Sequence, residues 1–298
     1  MSDTIIKTEG LTKDYGYGRG IFDINLEIKK GEVFGYVGTN GSGKTTTIRS
    51  MMGFIKPDGG SSSILGLDSW KKAPEIMKDV SYIPGEIAFP SLPTGTAFLK
   101  SQAEYLGVTD YTYMNHIIEM LQLDPTANLK RMSKGMKQKT AIVAALMGEK
   151  DILVLDEPTT GLDPLMRDSF LDLIREEKAK GHTVFMSSHI FEEIEEVCDR
   201  VAMIKDGKIV DVANLYDLRH SKTKDYTITF NSSDEAAKFA SHTQLSPTLE
   251  KDTCRVVFPK TDINEFFAIL KGYSICSLHE NKITLEDYFI KMYEKGAK

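Results

Sequence analysis

Residues 38–45 read Gly-Thr-Asn-Gly-Ser-Gly-Lys-Thr, a G-x-x-x-x-G-K-[ST] run. The apolar stretch Glu32-Val33-Phe34-Gly35-Tyr36-Val37 supplies the strand that precedes such a loop, and Thr45-Thr46-Thr47-Ile48-Arg49-Ser50-Met51-Met52 can start the helix that follows it. The chemistry implied is triphosphate binding. Backbone N–H groups around Asn40, Gly41, Ser42 and Gly43 must close on phosphate oxygens, which asks for backbone angles that a Cβ would obstruct. Lys44 would reach the β and γ phosphates, and the Thr45 hydroxyl would ligate Mg²⁺. The helix start, with Thr46 in it, adds partial positive charge. A Gly-rich surface turn is the bland alternative, and the flanking strand and helix argue against it.

Asp156 and Glu157 end the apolar run Ile152-Leu153-Val154-Leu155, at the strand end where ligands bind in open α/β sheets. Asp156 is suited to the Mg²⁺ shell. Glu157, one residue farther, is suited to orient and polarise the attacking water. Two strand-end charges facing solvent would look the same in isolation, and the phosphate loop upstream favours the chemical reading. His189 follows the next strand as Ser187-Ser188-His189. A neutral imidazole there can donate to the γ-phosphate and position the water. Taken alone, a histidine at a strand end is more often structural.

The elements that must hold these groups can be read along the chain. Ile5–Thr8 and Phe22–Ile28, with Gly-rich turns at Gly16–Gly20 and Lys30-Gly31, predict an antiparallel β layer ahead of the loop. Thr96–Leu106, Tyr113–Leu121 and Lys134–Met147 have helical length and periodicity between prolines, and predict an inserted helical subdomain over about 84–149. Ile152–Leu155, a helix near Pro164–Lys180, and Thr183–Ser187 read as buried parallel strands around a crossover helix. A hairpin at Asp206-Gly207 joins Val201–Ile204 to Lys208–Val212. The pattern then restarts: 1–219 is expected to be one domain and 220–298 a small α+β accessory domain, with strands at Tyr226–Phe230 and Arg255–Phe258 and helices at Glu235–Ser241, Ile263–Leu270 and Thr284–Glu294.

Composition narrows the class. The 298 residues are 41% hydrophobic and 27% charged, with net charge −6. No global basic field exists for a nucleic-acid backbone, so no nucleic-acid partner is expected. No stretch reaches the roughly 18 to 20 apolar residues that span a bilayer, and any membrane role is expected to come through a partner. The N-terminus lacks the pattern of a secretory signal, and the three scattered cysteines fit a reducing compartment.

Asp156-Glu157-Pro158-Thr159-Thr160-Gly161-Leu162-Asp163-Pro164 resembles the Walker B and D-loop run of ABC-type ATPases almost letter for letter. The resemblance covers about residues 4–215. It implies a P-loop NTPase fold with an ABC-ATPase core, ATP with Mg²⁺ as cofactors, and the role of ATP-binding subunit of a transporter. Tyr15 matches the aromatic that stacks on adenine, although a tyrosine in a Gly-rich loop could equally be packing. His189 matches the switch histidine, and Asp163 lies in the D-loop. The family signature, Leu-Ser-Gly-Gly-Gln in most members, stands here as Met132-Ser133-Lys134-Gly135-Met136. In the family it closes over the nucleotide of the partner subunit. Ser133 at a helix start suits a phosphate, and it equally suits a simple N-cap. Lys134 either adds a cation near the γ-phosphate or points to solvent.

A second departure lies at Pro84-Gly85-Glu86, where the family usually has glutamine touching the metal. Either Glu86 substitutes as ligand or water completes the shell. These departures and the closing Thr284–Phe289 segment are similar to the branch of bacterial exporters that moves antibiotics, peptides or lipid-like compounds. The partners implied are a second copy or a paralogous ABC subunit and a separate membrane permease, with a cytoplasmic location at the inner face of the membrane. The segment Gly85–Phe89 is expected to line a groove for a short permease helix. ABC ATPases acting on ribosomes or DNA usually carry two cassettes or a long coiled-coil insertion, and this chain has neither.

Overall fold

Every residue of Val33–Val37 and of Ile152–Asp156 is buried, as expected of strands covered on both faces. The computed structural model, which describes residues 3–219, 223–281 and 284–295, places both in the middle of a mixed sheet. The chain runs β1 (Thr4–Asp14), β2 (Gly20–Lys29), β3 (Val33–Val37), α1 (Lys44–Met51), β4 (Gly59–Ile64), β5 (Leu67–Asp68), α2 (Ala73–Ile76) and β6 (Val80–Ile83). The inserted helices follow as α3 (Gly95–Leu106), α4 (Thr112–Met120) and α5 (Lys134–Leu146). Then come β7 (Ile152–Asp156), α6 (Pro164–Ala179), β8 (Thr183–Ser188), α7 (Phe191–Val197), β9 (Arg200–Lys205), β10 (Lys208–Asn214) and α8 (Leu215–Arg219).

The central sheet has the order β10-β9-β3-β8-β7-β6, parallel except for β10. Parallel strands need crossover connections: α6 joins the neighbours β7 and β8, and α7 carries the chain from β8 past β3 to β9. Asp163 caps α6 by accepting from Met166 N at 3.1 Å, and Pro164 takes the first helical position. Met166, Phe170, Leu173, Ile174 and Glu177 then recur at helical spacing on the buried face. The antiparallel layer has the order β2-β1-β4-β5. Ile6, Leu11 and Ile24 of this layer share one core with Ile48 and Met51 of α1 and with Phe34, Tyr36 and Phe185 of the central sheet. Each such side chain contributes about 1.5–3 kcal/mol of burial free energy. The phosphate-loop helix is therefore clamped between two sheets.

The chain forms two compact units, one holding the chain to Leu215 and again from Phe289, the other Tyr216–Tyr288. The terminal helix α11 (Leu285–Lys295) thus begins in the second unit and ends in the first. The expected boundary at 219/220 falls beside residues 220–222, which lie outside the described residues. Within the second unit β11 (Thr223–Phe230), α9 (Ser233–His242), β12 (Thr248–Glu250), β13 (Thr253–Pro259), α10 (Ile263–Leu270) and β14 (Ile275–Glu280) form an antiparallel sheet of order β12-β13-β11-β14. That is the split βαβ arrangement of ferredoxin-like domains. Tyr226, Ile228 and Phe230 alternate toward the helices, as do Cys254, Val256 and Phe258 opposite them.

Candidate active site

The loop after β3 admits no side chain at its last glycine. Gly43 has φ +112°, and a Cβ there would lie 2.9 Å from Ile21 Cγ2. Helix α1 starts on Gly43 with no side-chain cap, which leaves its first N–H groups directed at a ligand. Lys44 is 6% exposed, and its Nζ donates to Gly38 O at 2.7 Å and Thr39 O at 3.2 Å. The same ammonium lies 3.1 Å from Glu157 Oε1.

Glu157 has φ +52°, strained for a residue carrying a Cβ. Its N–H is held by Ser187 O at 3.2 Å and Ser187 Oγ at 3.0 Å. Glu157 Oε2 is in hydrogen-bonding contact with His189 Nδ1. Lys44, Glu157 and His189, carried by three neighbouring strand ends, therefore form one chain of contacts.

Asp156 is fully buried, with Oδ1 accepting from Ser187 Oγ at 2.7 Å and Oδ2 without a hydrogen-bond partner. A buried carboxylate oxygen is costly unless a donor or cation meets it. Gly85 packs beside it, and a Cβ there would come within 3.1 Å of Oδ2. Among the described residues no three His, Cys, Asp or Glu side chains converge as a metal site. Mg²⁺ arriving with phosphates needs only one or two protein oxygens, and Asp156 with Thr45 fits that requirement.

Lys44, Thr45, Glu157 and His189 open on a cavity of about 770 Å³, which Gly85 lines and the buried Asp156 behind it does not; the volume lies inside the roughly 300–1,000 Å³ of small-molecule sites. From the phosphate loop, Asn40, Gly41, Gly43, Lys44, Thr45 and Thr46 line it, and so do Tyr15, Glu86, Glu157 and His189. Ser42 is buried instead, and its carbonyl accepts from Gly207 N at 2.9 Å. Ser133, Gly135 and Asp163 do not line this cavity. Ser133 Oγ caps α5 by accepting from Met136 N at 3.2 Å. A Cβ on Gly135 would sit 2.8 Å from Gly161 O, and the stem of Lys134 lies over Gly161. Gln138 Nε2 donates to Pro158 O at 2.6 Å, so the start of α5 and the segment after Glu157 are moulded together.

Arg19, Arg49, Thr160, Asp206 and Gly207 also line the cavity and were not anticipated. Arg49 was within reach of the sequence, since it sits one helical turn after Thr45. It lies close enough to Tyr82 to lower the pKa of its hydroxyl, which burial and then the Asp156 charge raise. Asp206 and Gly207 carried a turn signal, and their φ values of +47° and +73° match it. Nothing in the sequence placed that turn against Ser42. A second groove, of about 350 Å³, runs between Gly85–Ile87 and Lys134, Lys137 and Gln138. Phe89 is not in it: its ring packs on Phe98 at 4.7 Å.

The ABC transporter family profile matches residues 21–160. The bacitracin transport ATP-binding protein BcrA of Bacillus licheniformis is 31% identical over 99% of this chain and 99% of its own. Its namesake in Enterococcus faecalis is 33% identical over 100% and 99%. A solved structure described as the dimeric post-hydrolysis state of an ATP-binding cassette bound to ADP and Pi superposes with a TM-score of 0.62, at 23% identity, over 71% of this chain and 99% of that one. Among the described residues no helix is long and apolar enough to cross a membrane. The chain belongs to the ATP-binding proteins of the ABC transporter family, and it is an ATPase.

Proposed function

We propose that this chain works as a pair, with a second copy or a paralogous subunit, and drives an exporter through a separate membrane permease at the inner face of the membrane. The carrying observation is the split between the cavity and the signature. Lys44, Glu157 and His189 meet in one cavity, while Ser133 and Gly135 start a helix that does not line it. A second chain has to bring its own Ser133 and Gly135 to complete the phosphate shell. The cassette structure described as dimeric, and the relatives named for bacitracin transport, support this reading.

In the closed pair Lys44 leaves its loop carbonyls for the β and γ phosphates. Glu157 takes up the proton of the attacking water, and His189 holds the water and the γ-phosphate in line. Asp156 and Thr45, with Glu86 or water, would hold Mg²⁺, which would supply positive charge to the triphosphate. Tyr15 stacks on the base and Asp163 contacts the partner. The groove beside Gly85 and Glu86, with Lys134 and Lys137 on its other wall, takes an acidic or amphipathic helix of the permease.

Glu157→Gln tests the reading. It removes the charge 3.1 Å from Lys44 and the water's proton acceptor together, so turnover is lost while ATP binding holds or tightens. Size-exclusion chromatography with ATP and Mg²⁺ should then show a dimer, and a persistent monomer would count against it.

A further inference from the structure

A buried carboxylate joined by hydrogen bonds to the segments that carry Glu157 and His189 has no role in the site as described. Glu193, on α7, is 1% exposed and does not line the nucleotide cavity. Its Oε2 accepts from Ser188 Oγ at 2.9 Å and from Thr159 Oγ1 at 2.9 Å. Ser188 Oγ accepts in turn from Ile190 N at 2.9 Å, so the residues on both sides of His189 hang from one hydroxyl. On the other branch, Thr159 is two residues after Glu157, and Thr160 N donates back to Glu157 O at 3.1 Å. Arg167 Nε lies 2.9 Å from Glu193 Oε1 as an ion pair, without hydrogen-bond alignment.

We propose that Glu193 is a positioning residue for hydrolysis, whose carboxylate ties the His189 turn to the segment leaving Glu157 and so fixes the distance between the two catalytic side chains. The proposal rests on the roles given above to Glu157 and His189. Both ends need such support. Glu157 holds a strained backbone that persists only where its surroundings over-determine it, and His189 is 43% exposed, with few neighbours to fix its ring. Both hydroxyls in the brace are buried, and a hydrogen bond to an ionised group is roughly twice as strong as a neutral one. An ionised acid accepts from both through Oε2 while Oε1 faces Arg167. Burial pushes the Glu193 carboxyl up, and the two hydroxyls, Arg167 and His189 offset only part of that rise.

The experiment is a double-mutant cycle on full-length protein, read as single-turnover ATP hydrolysis with ATP affinity measured alongside. Glu193→Gln keeps the shape, but its neutral oxygen holds the two hydroxyls more weakly and its amide N–H₂ is turned, donor to donor, toward Arg167. Hydrolysis should fall about 10- to 100-fold, the scale of a misplaced catalytic group, with ATP affinity within about twofold. In a His189→Ala background the same substitution should cost clearly less than it does in the natural chain, because one of the two side chains whose separation it fixes is gone. Ser188→Ala, which cuts the same brace with less risk to the core, should behave likewise and carries the cycle if Glu193→Gln does not fold. Full multiplicative losses with His189→Ala, or a parallel fall in ATP affinity, would overturn the proposal and leave the site reading standing. A normal rate for His189→Ala alone would instead overturn the site reading and the inference with it.

Discussion

Gly85→Gln restores the residue found at this place in most of the family, and it is expected to impair the enzyme. Gly85 is not among the residues with positive φ, so its backbone would accept a side chain and only space is at issue. A Cβ would stand 3.1 Å from Asp156 Oδ2, 3.3 Å from its Cγ and 3.7 Å from its carbonyl oxygen. Comfortable contact begins near ~3.5 Å, so something must shift by a few tenths of an ångström. Asp156 gives way poorly: Oδ1 is tied to Ser187 Oγ at 2.7 Å, and the residue pairs with Ser187 in the sheet.

Overpacking of this kind costs about 1–3 kcal/mol. Loss of unfolded-state freedom on replacing glycine offsets about 0.4–1 kcal/mol. Stability should therefore fall by about 0–2.6 kcal/mol, and the rate should fall as well. A carboxylate displaced by tenths of an ångström predicts roughly a tenfold fall in kcat, given that about 1 Å costs around a hundredfold. The assay is steady-state hydrolysis at saturating ATP across a Mg²⁺ titration, with Gly85→Ala supplying the same Cβ without the amide. Both variants should be slow. Gly85→Gln matching or exceeding the natural chain at lower Mg²⁺, with Gly85→Ala slow, would refute the reasoning, because ligation by the amide would then outweigh the crowding.

Tyr113 of α4 donates to Glu177 of α6, a fully buried carboxylate that also binds His182 Nδ1 at 2.7 Å and Lys180 Nζ at 3.1 Å. Tyr113→Phe removes one donor to a buried charge and should lower stability by about 1.5–3 kcal/mol in urea unfolding; a change below about 0.5 kcal/mol would mean the contact carries nothing. Phe89→Asp should destabilise the inserted helices and slow hydrolysis by the isolated protein, since the ring packs on Phe98 at 4.7 Å and a charge there has no partner. An unchanged melting temperature would return Phe89 to the role of an exposed docking residue.

What the sequence made legible was local. The phosphate loop, the strand ending in Asp156-Glu157 and the Asp206-Gly207 hairpin each carry their geometry in adjacent residues. Strand β4 was hidden because Gly59-Gly60-Ser61-Ser62-Ser63 has little strand preference, and its pairing with β1 and β5 orders it. β14 was hidden for a related reason: as an edge strand it mixes Cys276, Ser277 and His279 with few apolar residues. The run Ile87–Phe89 suggested an open docking surface by composition, and only tertiary packing turned Phe89 toward Phe98. Arg49 was readable by helical spacing, whereas the meeting of Ser42 with Gly207 and of Glu193 with Thr159 depends on chain crossings that no local pattern encodes.

The composite site is tested most directly by mixing two inactive variants. Lys44→Ala destroys the phosphate loop of its own chain, and Ser133→Arg blocks the signature that its own chain lends to a partner. Each alone should be inactive. In a mixed two-fold pair, the intact loop of one chain meets the intact signature of the other, so equal mixing should restore about a quarter of the natural rate if one site can turn over alone. Recovery of activity on mixing is the predicted result, and a mixture as inactive as its two components would contradict the account.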